Sequence, residues 1–172
     1  LSACFTLFPE PMNPHAAELW RGPRWTLALL LACLGMLGPF SVDTYLPSFP
    51  DIAKEFAASP VAMQQTLSLY MLAFAVMMLV YGPLSDAYGR KNVVLVSVVV
   101  YVVSSIGCAL AQSIEWLIVM RAGQGLAAGA GLVIGRAMIR DVYAGAAAQK
   151  LMSNVTMTFA IAPAIAPIIG GW

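Results

Sequence analysis

Charged side chains are scarce: Asp, Glu, Lys and Arg make up 10% of the 172 residues, and nine basic against eight acidic side chains leave a net charge of +1. A soluble domain carries roughly 25% charged residues, so a water-soluble globule is excluded. The near balance of sign leaves no basic field for nucleic acid and no acidic tail. Histidine is all but missing: His15 stands alone, in a Pro-rich N-terminal stretch. Cys4, Cys33 and Cys108 are widely separated and show no CxxC or CxxH spacing. A disulfide framework, a metal set and a histidine-based triad are thereby excluded, and no cofactor is implied. No intramembrane nucleophile has a base beside it, which argues against an enzyme.

Apolar residues are abundant instead, at 60% of the chain, with a mean hydropathy of +0.82. That is about the number needed for five membrane helices of ~20 residues each. An ionised side chain at the bilayer centre costs roughly 2.5 to 3.5 kcal/mol, so long gaps between charges mark the spans. Trp25 to Val42, Phe56 to Ser85, Asn92 to Ile114 and Leu151 to Trp172 are such gaps. One more, Ala122 to Gly135, lies between Arg121 and Arg136. At 1.5 Å per residue it reaches only ~21 Å against a hydrocarbon core of ~30 Å. A span there must take Arg121 into the membrane, starting from the interfacial aromatic Trp116.

The reading is an all-α, polytopic membrane helix bundle. Residues 1–24 form a leader, and spans run over about 25–46, 62–84, 92–113, 116–138 and 151–172. Arg21 and Arg24 before an apolar run imitate a signal peptide, and Leu30-Leu31-Ala32-Cys33 imitates a lipoprotein site, but the run continues to Val42 and further spans follow. Arg21, Arg24, Arg90, Lys91, Arg136, Arg140 and Lys150 all fall on one side of these spans, with Lys54 alone on the other. The positive-inside rule makes the crowded side, and the N-terminus, cytoplasmic.

Three polar groups stand out against this background. Gly82-Pro83-Leu84-Ser85-Asp86-Ala87-Tyr88-Gly89-Arg90-Lys91 reads as a tight turn joining spans two and three, with Asp86 placed to pair with Arg90, Lys91 or the basic end of span four. Arg121 needs protein or water to face, unless it snorkels to the outer interface. Asp43 lies ~19 residues beyond Arg24, hence ~28 Å along span one and at a height similar to that of Arg121. It is expected either to mark the helix end or to share a cavity with that guanidinium. Glycines 123, 125, 129, 131 and 135 thread span four, and small residues such as Gly125 and Gly129 allow close helix packing.

These motifs together resemble the major facilitator superfamily. The 82–91 segment resembles its GxLaDrxGrk signature through Gly82, Leu84, Asp86, Gly89, Arg90 and Lys91, with Ala87 departing from the usual basic residue. Leu117, Arg121, Gln124, Gly125, Ala127 and Ala128 resemble its lxxxRxxqGxgaa pattern. Pro163, Pro167, Gly170 and Gly171 keep part of its antiporter signature, in which Ala162 and Ala166 replace glycines. With Asp43-Thr44-Tyr45-Leu46-Pro47 and the Arg140-Asp141 pair, the chain is most similar to the bacterial Bcr/CflA drug-resistance branch.

The resemblance implies the first five helices of a twelve-helix bundle, lacking its C-terminal half, as a multi-pass protein of the bacterial inner membrane. It implies proton-coupled efflux of small, lipophilic, drug-like solutes, with the lipid bilayer and protons as further partners. Asp43, Arg121 and Gln124 would serve proton coupling and the cavity. Gly82, Asp86, Gly89, Arg90 and Lys91 would form a gating loop, and Arg136, Arg140 and Asp141 a cytoplasmic charge network. A proton-linked nutrient importer and a non-transporting scaffold subunit are the alternatives. The sequence opens on Leu1 rather than Met, and Met12 is expected to make a natural start. Protein begun at Met12 is therefore expected to match the longer form in expression and function, and a loss of either on truncation would count against this.

Overall fold

The computed structural model describes residues 24–142, 145–159 and 165–166. Five helices follow one another: α1 (Arg24–Glu55), α2 (Pro60–Tyr88), α3 (Arg90–Ala109), α4 (Ile114–Val142) and α5 (Gly145–Phe159). Four stretches, Leu29–Glu55, Pro60–Tyr88, Arg90–Ala109 and Ile114–Asp141, are long and apolar enough to cross a membrane. A helix the length of α2 rises ~43 Å, which matches a bilayer with its headgroups rather than the hydrocarbon core alone. The outward faces of α2 and α3 are apolar and bare, with Leu79 and Val96 mostly exposed, as lipid-facing helices require.

The helices overrun the expected spans, and local chemistry explains where they stop. The first continues past residue 46 through Pro47 and Pro50 to Glu55. Proline removes one backbone bond, yet a packed membrane helix tolerates the loss. α1 closes where Ala57 turns into the left-handed region at φ 46°. There Ala58 N–H donates to the Ala53 carbonyl at 3.0 Å and Ala57 N–H to that of Lys54 at 3.2 Å. This is a Schellman closure with alanine where glycine is usual. Ser59 then caps α2, its hydroxyl accepting from Ala62 N–H at 3.2 Å, and Pro60 occupies the first turn, where its missing donor costs nothing. Ser113 caps α4 in the same way, accepting from Trp116 N–H at 3.2 Å.

Between α2 and α3 the expected turn over residues 82–91 is not a loop. Gly82 to Tyr88 are the last two turns of α2, and Arg90 already opens α3. Gly89 alone reverses the chain, at φ 84° and ψ 135°, a conformation that L side chains rarely adopt. Span five differs as well: the helix begins at Gly145 rather than 151, and its expected end, with Pro163, Pro167, Gly170 and Gly171, lies outside the described residues.

α4 is the centre of the bundle. More than half of its apolar window is buried, 56%, against 11% and 17% for α2 and α3. It touches all four of the other helices, and small residues bring them close. A Cβ on Gly125 would collide with the Tyr70 carbonyl of α2, and one on Gly131 with the Leu34 carbonyl of α1. The expected Gly125–Gly129 packing pair therefore divides. Gly129 has ordinary room, with Met78 Cγ 3.4 Å from where its Cβ would stand. Gly125→Ala or Gly131→Ala should cost about 1–3 kcal/mol by overpacking, whereas Gly129→Ala should be nearly neutral. Thermal unfolding of the three variants in detergent checks this, and equal shifts would count against the backbone contacts.

Candidate functional site

Arg121 sits two helical turns into α4, packed between the helices, and is 4% exposed. α4 carries it inward because Leu117, Arg121, Gln124 and Ala128 share one buried stripe at helical spacing. Its Nη1 donates to Ser41 Oγ of α1 at 3.0 Å and to Gln124 Oε1 at 2.9 Å. The guanidinium lies over the Tyr45 ring, 3.8 Å from the centroid, with the Tyr70 ring at 5.1 Å. No carboxylate pairs with it among the described residues, and its Nε and Nη2 are buried without a hydrogen-bond partner there.

Each partner is itself held. The Gln124 amide donates to Ser105 Oγ at 2.8 Å, and Ser105 donates to the Tyr101 carbonyl at 2.8 Å, tying the group to α3. Tyr45 and Thr66 share a hydrogen bond of 2.8 Å. Thr66 donates its one proton to the Met63 carbonyl at 2.7 Å, so the tyrosine is the donor to Thr66. Tyr70 donates to the Gly38 carbonyl of α1 at 3.0 Å. Four helices thus converge on a single cation.

Asp43 does not join them as an ion pair. Ser41 and Tyr45 are four residues apart and share a face of α1, while Asp43, between them, is turned ~200° from Ser41. It lines a separate cleft of about 200 Å³ between α1 and α2 with Gly38, Tyr70 and Phe74. Tyr70 borders both sites.

A second polar group gathers at the other end of the bundle. Arg90 Nη2 lies 2.9 Å from Asp141 Oδ2 and 3.6 Å from Asp86 Oδ1, linking the end of α2, the start of α3 and the end of α4. The pairing expected for Asp86 forms, through Arg90. Lys91 is exposed and makes no ion pair among the described residues, and a Cβ on Gly82 would meet nothing within 4 Å. Arg136 and Arg140, expected in one network with Asp141, lie elsewhere and line a cleft between α1, α4 and α5.

Residues 22–172 match the family model of the Major Facilitator Superfamily. The chain belongs to that superfamily. It is 42% identical over 159 residues to an uncharacterized MFS-type transporter of Bacillus subtilis, covering 92% of this chain and 38% of that protein. It is 38% identical over 144 residues to a bicyclomycin resistance protein homolog of Haemophilus influenzae, covering 84% and 36%. Multidrug resistance protein D of Escherichia coli is 32% identical over 145 residues, covering 84% and 37%. The chain thus spans under two fifths of the length of these curated relatives. Superfamily members are multi-pass membrane transporters rather than enzymes, and the helical bundle is part of such a fold.

The sequence pointed to Arg121 and Gln124 but passed over the residues that hold them. Ser41 and Tyr45 carried a signal in their four-residue spacing on an apolar helix, and Ser105 in being a hydroxyl amid valines. Tyr70 and Thr66 carried none beyond their own four-residue spacing. Tyr45→Phe should cost about 1 kcal/mol by losing the Thr66 bond. Tyr45→Leu should cost roughly 1–2 kcal/mol more by removing the ring beneath a desolvated cation. Unfolding midpoints in detergent test the difference, and equal losses would show that the ring contributes nothing beyond its hydroxyl.

Proposed function

We propose that the chain belongs to a proton-coupled exporter of drug-like small molecules in the bacterial inner membrane, with the N-terminus in the cytoplasm. The observation that carries this reading is the Arg121 guanidinium, buried between the helices with two of its nitrogens unclaimed by any described residue. An intramembrane cation without a paired acid is expensive and is a functional site by default. Two relatives bear drug-resistance names, which supports export of such compounds. The basic residues crowded at one end of the bundle support the orientation.

In this reading Arg121 provides a fixed positive charge whose field changes the affinity of the site for protons and solute together. Asp43, across Tyr70, is the acid that exchanges the proton, and Gln124 and Ser41 hold the guanidinium in place. At the cytoplasmic end the Asp86–Arg90–Asp141 cluster closes the gap between α2, α3 and α4. Parting it would let that end open as the solute site changes sides, and Gly89 is the hinge about which α2 and α3 could separate. Such alternating access needs a ligand that binds the two states unequally, which a charge felt by both proton and solute provides.

Proton flux in inverted vesicles carrying the full-length transporter tests the proposal. With an acid interior, adding bicyclomycin should alkalinise the lumen as drug enters and protons leave. Arg121→Ala and Asp43→Asn should each reduce that flux about tenfold or more, equivalent to ~1.4 kcal/mol of barrier. Arg121→Lys should also fall short, because an ammonium cannot reproduce the flat stack on Tyr45. Flux unchanged by both of the first two substitutions would overturn the coupling roles of Arg121 and Asp43, absence of any drug-driven flux would favour the scaffold reading, and acidification on adding a polar nutrient would favour import.

A further inference from the structure

The cleft between α1, α4 and α5 is polar at one side only. Its volume is about 170 Å³, with Leu31 of α1, Ile139 of α4 and Val155 of α5 among its walls. Thr156, Arg136 and Arg140 supply the polar lining, and no carboxylate lines it among the described residues. Leu31 and Ile139 are fully buried, so the walls are fixed by the packed core rather than by mobile side chains. Arg136 and Arg140 are exposed, one helical turn apart on α4, with their guanidinium groups on the same face. Neither forms an ion pair among the described residues, although Asp141 adjoins Arg140 in sequence: that carboxylate is turned to Arg90.

The size of the space and the sign of its rim select a ligand. An apolar cavity of ~150 Å³ is known to take one benzene ring, so a volume of about 170 Å³ suits a single aromatic ring. Two adjacent guanidinium groups favour a planar, bidentate anion. We propose that this cleft binds monocyclic aromatic carboxylates, the ring between α1, α4 and α5 and the carboxylate on Arg136 and Arg140. Thr156 Oγ1 donates its own proton to the Met152 carbonyl at 2.8 Å and so offers the ligand no donor; the arginines alone provide the selectivity. The site is ~22 Å along α4 from Arg121, so it is distinct from the buried cation and does not require the transport reading.

Equilibrium binding tests it. The purified protein in phosphatidylcholine nanodiscs is titrated with para-fluorobenzoate, para-fluorobenzamide and para-fluorobenzylamine, followed by fluorine NMR. The benzoate should saturate and bind about tenfold or more tightly than the amide, with the amine weakest. The double variant Arg136→Gln/Arg140→Gln, altered only at exposed positions, should reduce the benzoate to the level of the amide. Thr156→Trp, also exposed, should fill the cleft and abolish binding of all three. Absent saturation, equal affinity for acid and amide, or benzoate binding that survives both variants would overturn the proposal. So would loss of the benzoate site on adding a small fraction of phosphatidylglycerol, which would assign the arginines to lipid headgroups. None of these readouts depends on proton flux, so the binding site and the exporter reading can fail separately.

Discussion

A guanidinium in the middle of a membrane bundle must be solvated by protein, and the arrangement of α1 to α4 follows from that demand. Bringing an arginine to the bilayer centre costs roughly 2.5 to 3.5 kcal/mol on insertion scales. Hydrogen bonds to a charged group contribute about 1.5 to 3 kcal/mol each, and a desolvated cation over an aromatic face about 2. The Ser41 and Gln124 acceptors and the Tyr45 ring therefore offset much of that cost without a carboxylate, with Nε and Nη2 still without a partner among the described residues. A charge balanced by dipoles and ring faces stays a charge. An ion pair with Asp43 would have neutralised it and dulled its influence on anything entering the site.

Holding those partners in range requires close backbones. Gly125 and Gly131 let α4 lie directly on carbonyl groups of α2 and α1, and Ala127, Ala128 and Ala130 continue the narrow surface. There is no hydrophobic drive between helices in lipid, so such contact and the few interhelical hydrogen bonds do the joining. Below Arg121 the joining is done by Tyr81, which donates to the Leu126 carbonyl at 2.6 Å and accepts from Ser97 at 3.1 Å, linking α2, α4 and α3. The hydroxyls that interrupt otherwise apolar helices are thus the cross-links of the bundle. Their bulk is small enough not to part it.

The end of the bundle that bears Gly89 is organised on a different principle. Its charges are half exposed, so the Asp86–Arg90–Asp141 cluster is a weak fastening compared with the buried group around Arg121. A one-residue reversal at Gly89 keeps α2 and α3 in step, while the ion pairs hold both to α4. One end is packed and buried, and the other is clasped by charges that water can replace.

Much of this was legible in the residues. Charge-free gaps anticipated the four described helices that are long and apolar enough to cross a membrane, and the shortage of room between Arg121 and Arg136 required a buried arginine. Helix ends were less legible, because Pro47 and Pro50 read as stops in water and are tolerated in a packed bundle, and because the 82–91 signature looks like a turn although one glycine suffices. The sequence by itself determined which stretches are long and apolar enough to cross a membrane and which side chain had to be hidden, since hydropathy and charge act residue by residue. Only the tertiary structure decided that Ser41 and Tyr45, and not Asp43, face the arginine, and that Asp141 rather than Arg136 or Arg140 completes the cluster on Arg90. Those outcomes depend on the rotation of each helix about its axis, which is set by where its neighbours can approach and not by the order of its own residues.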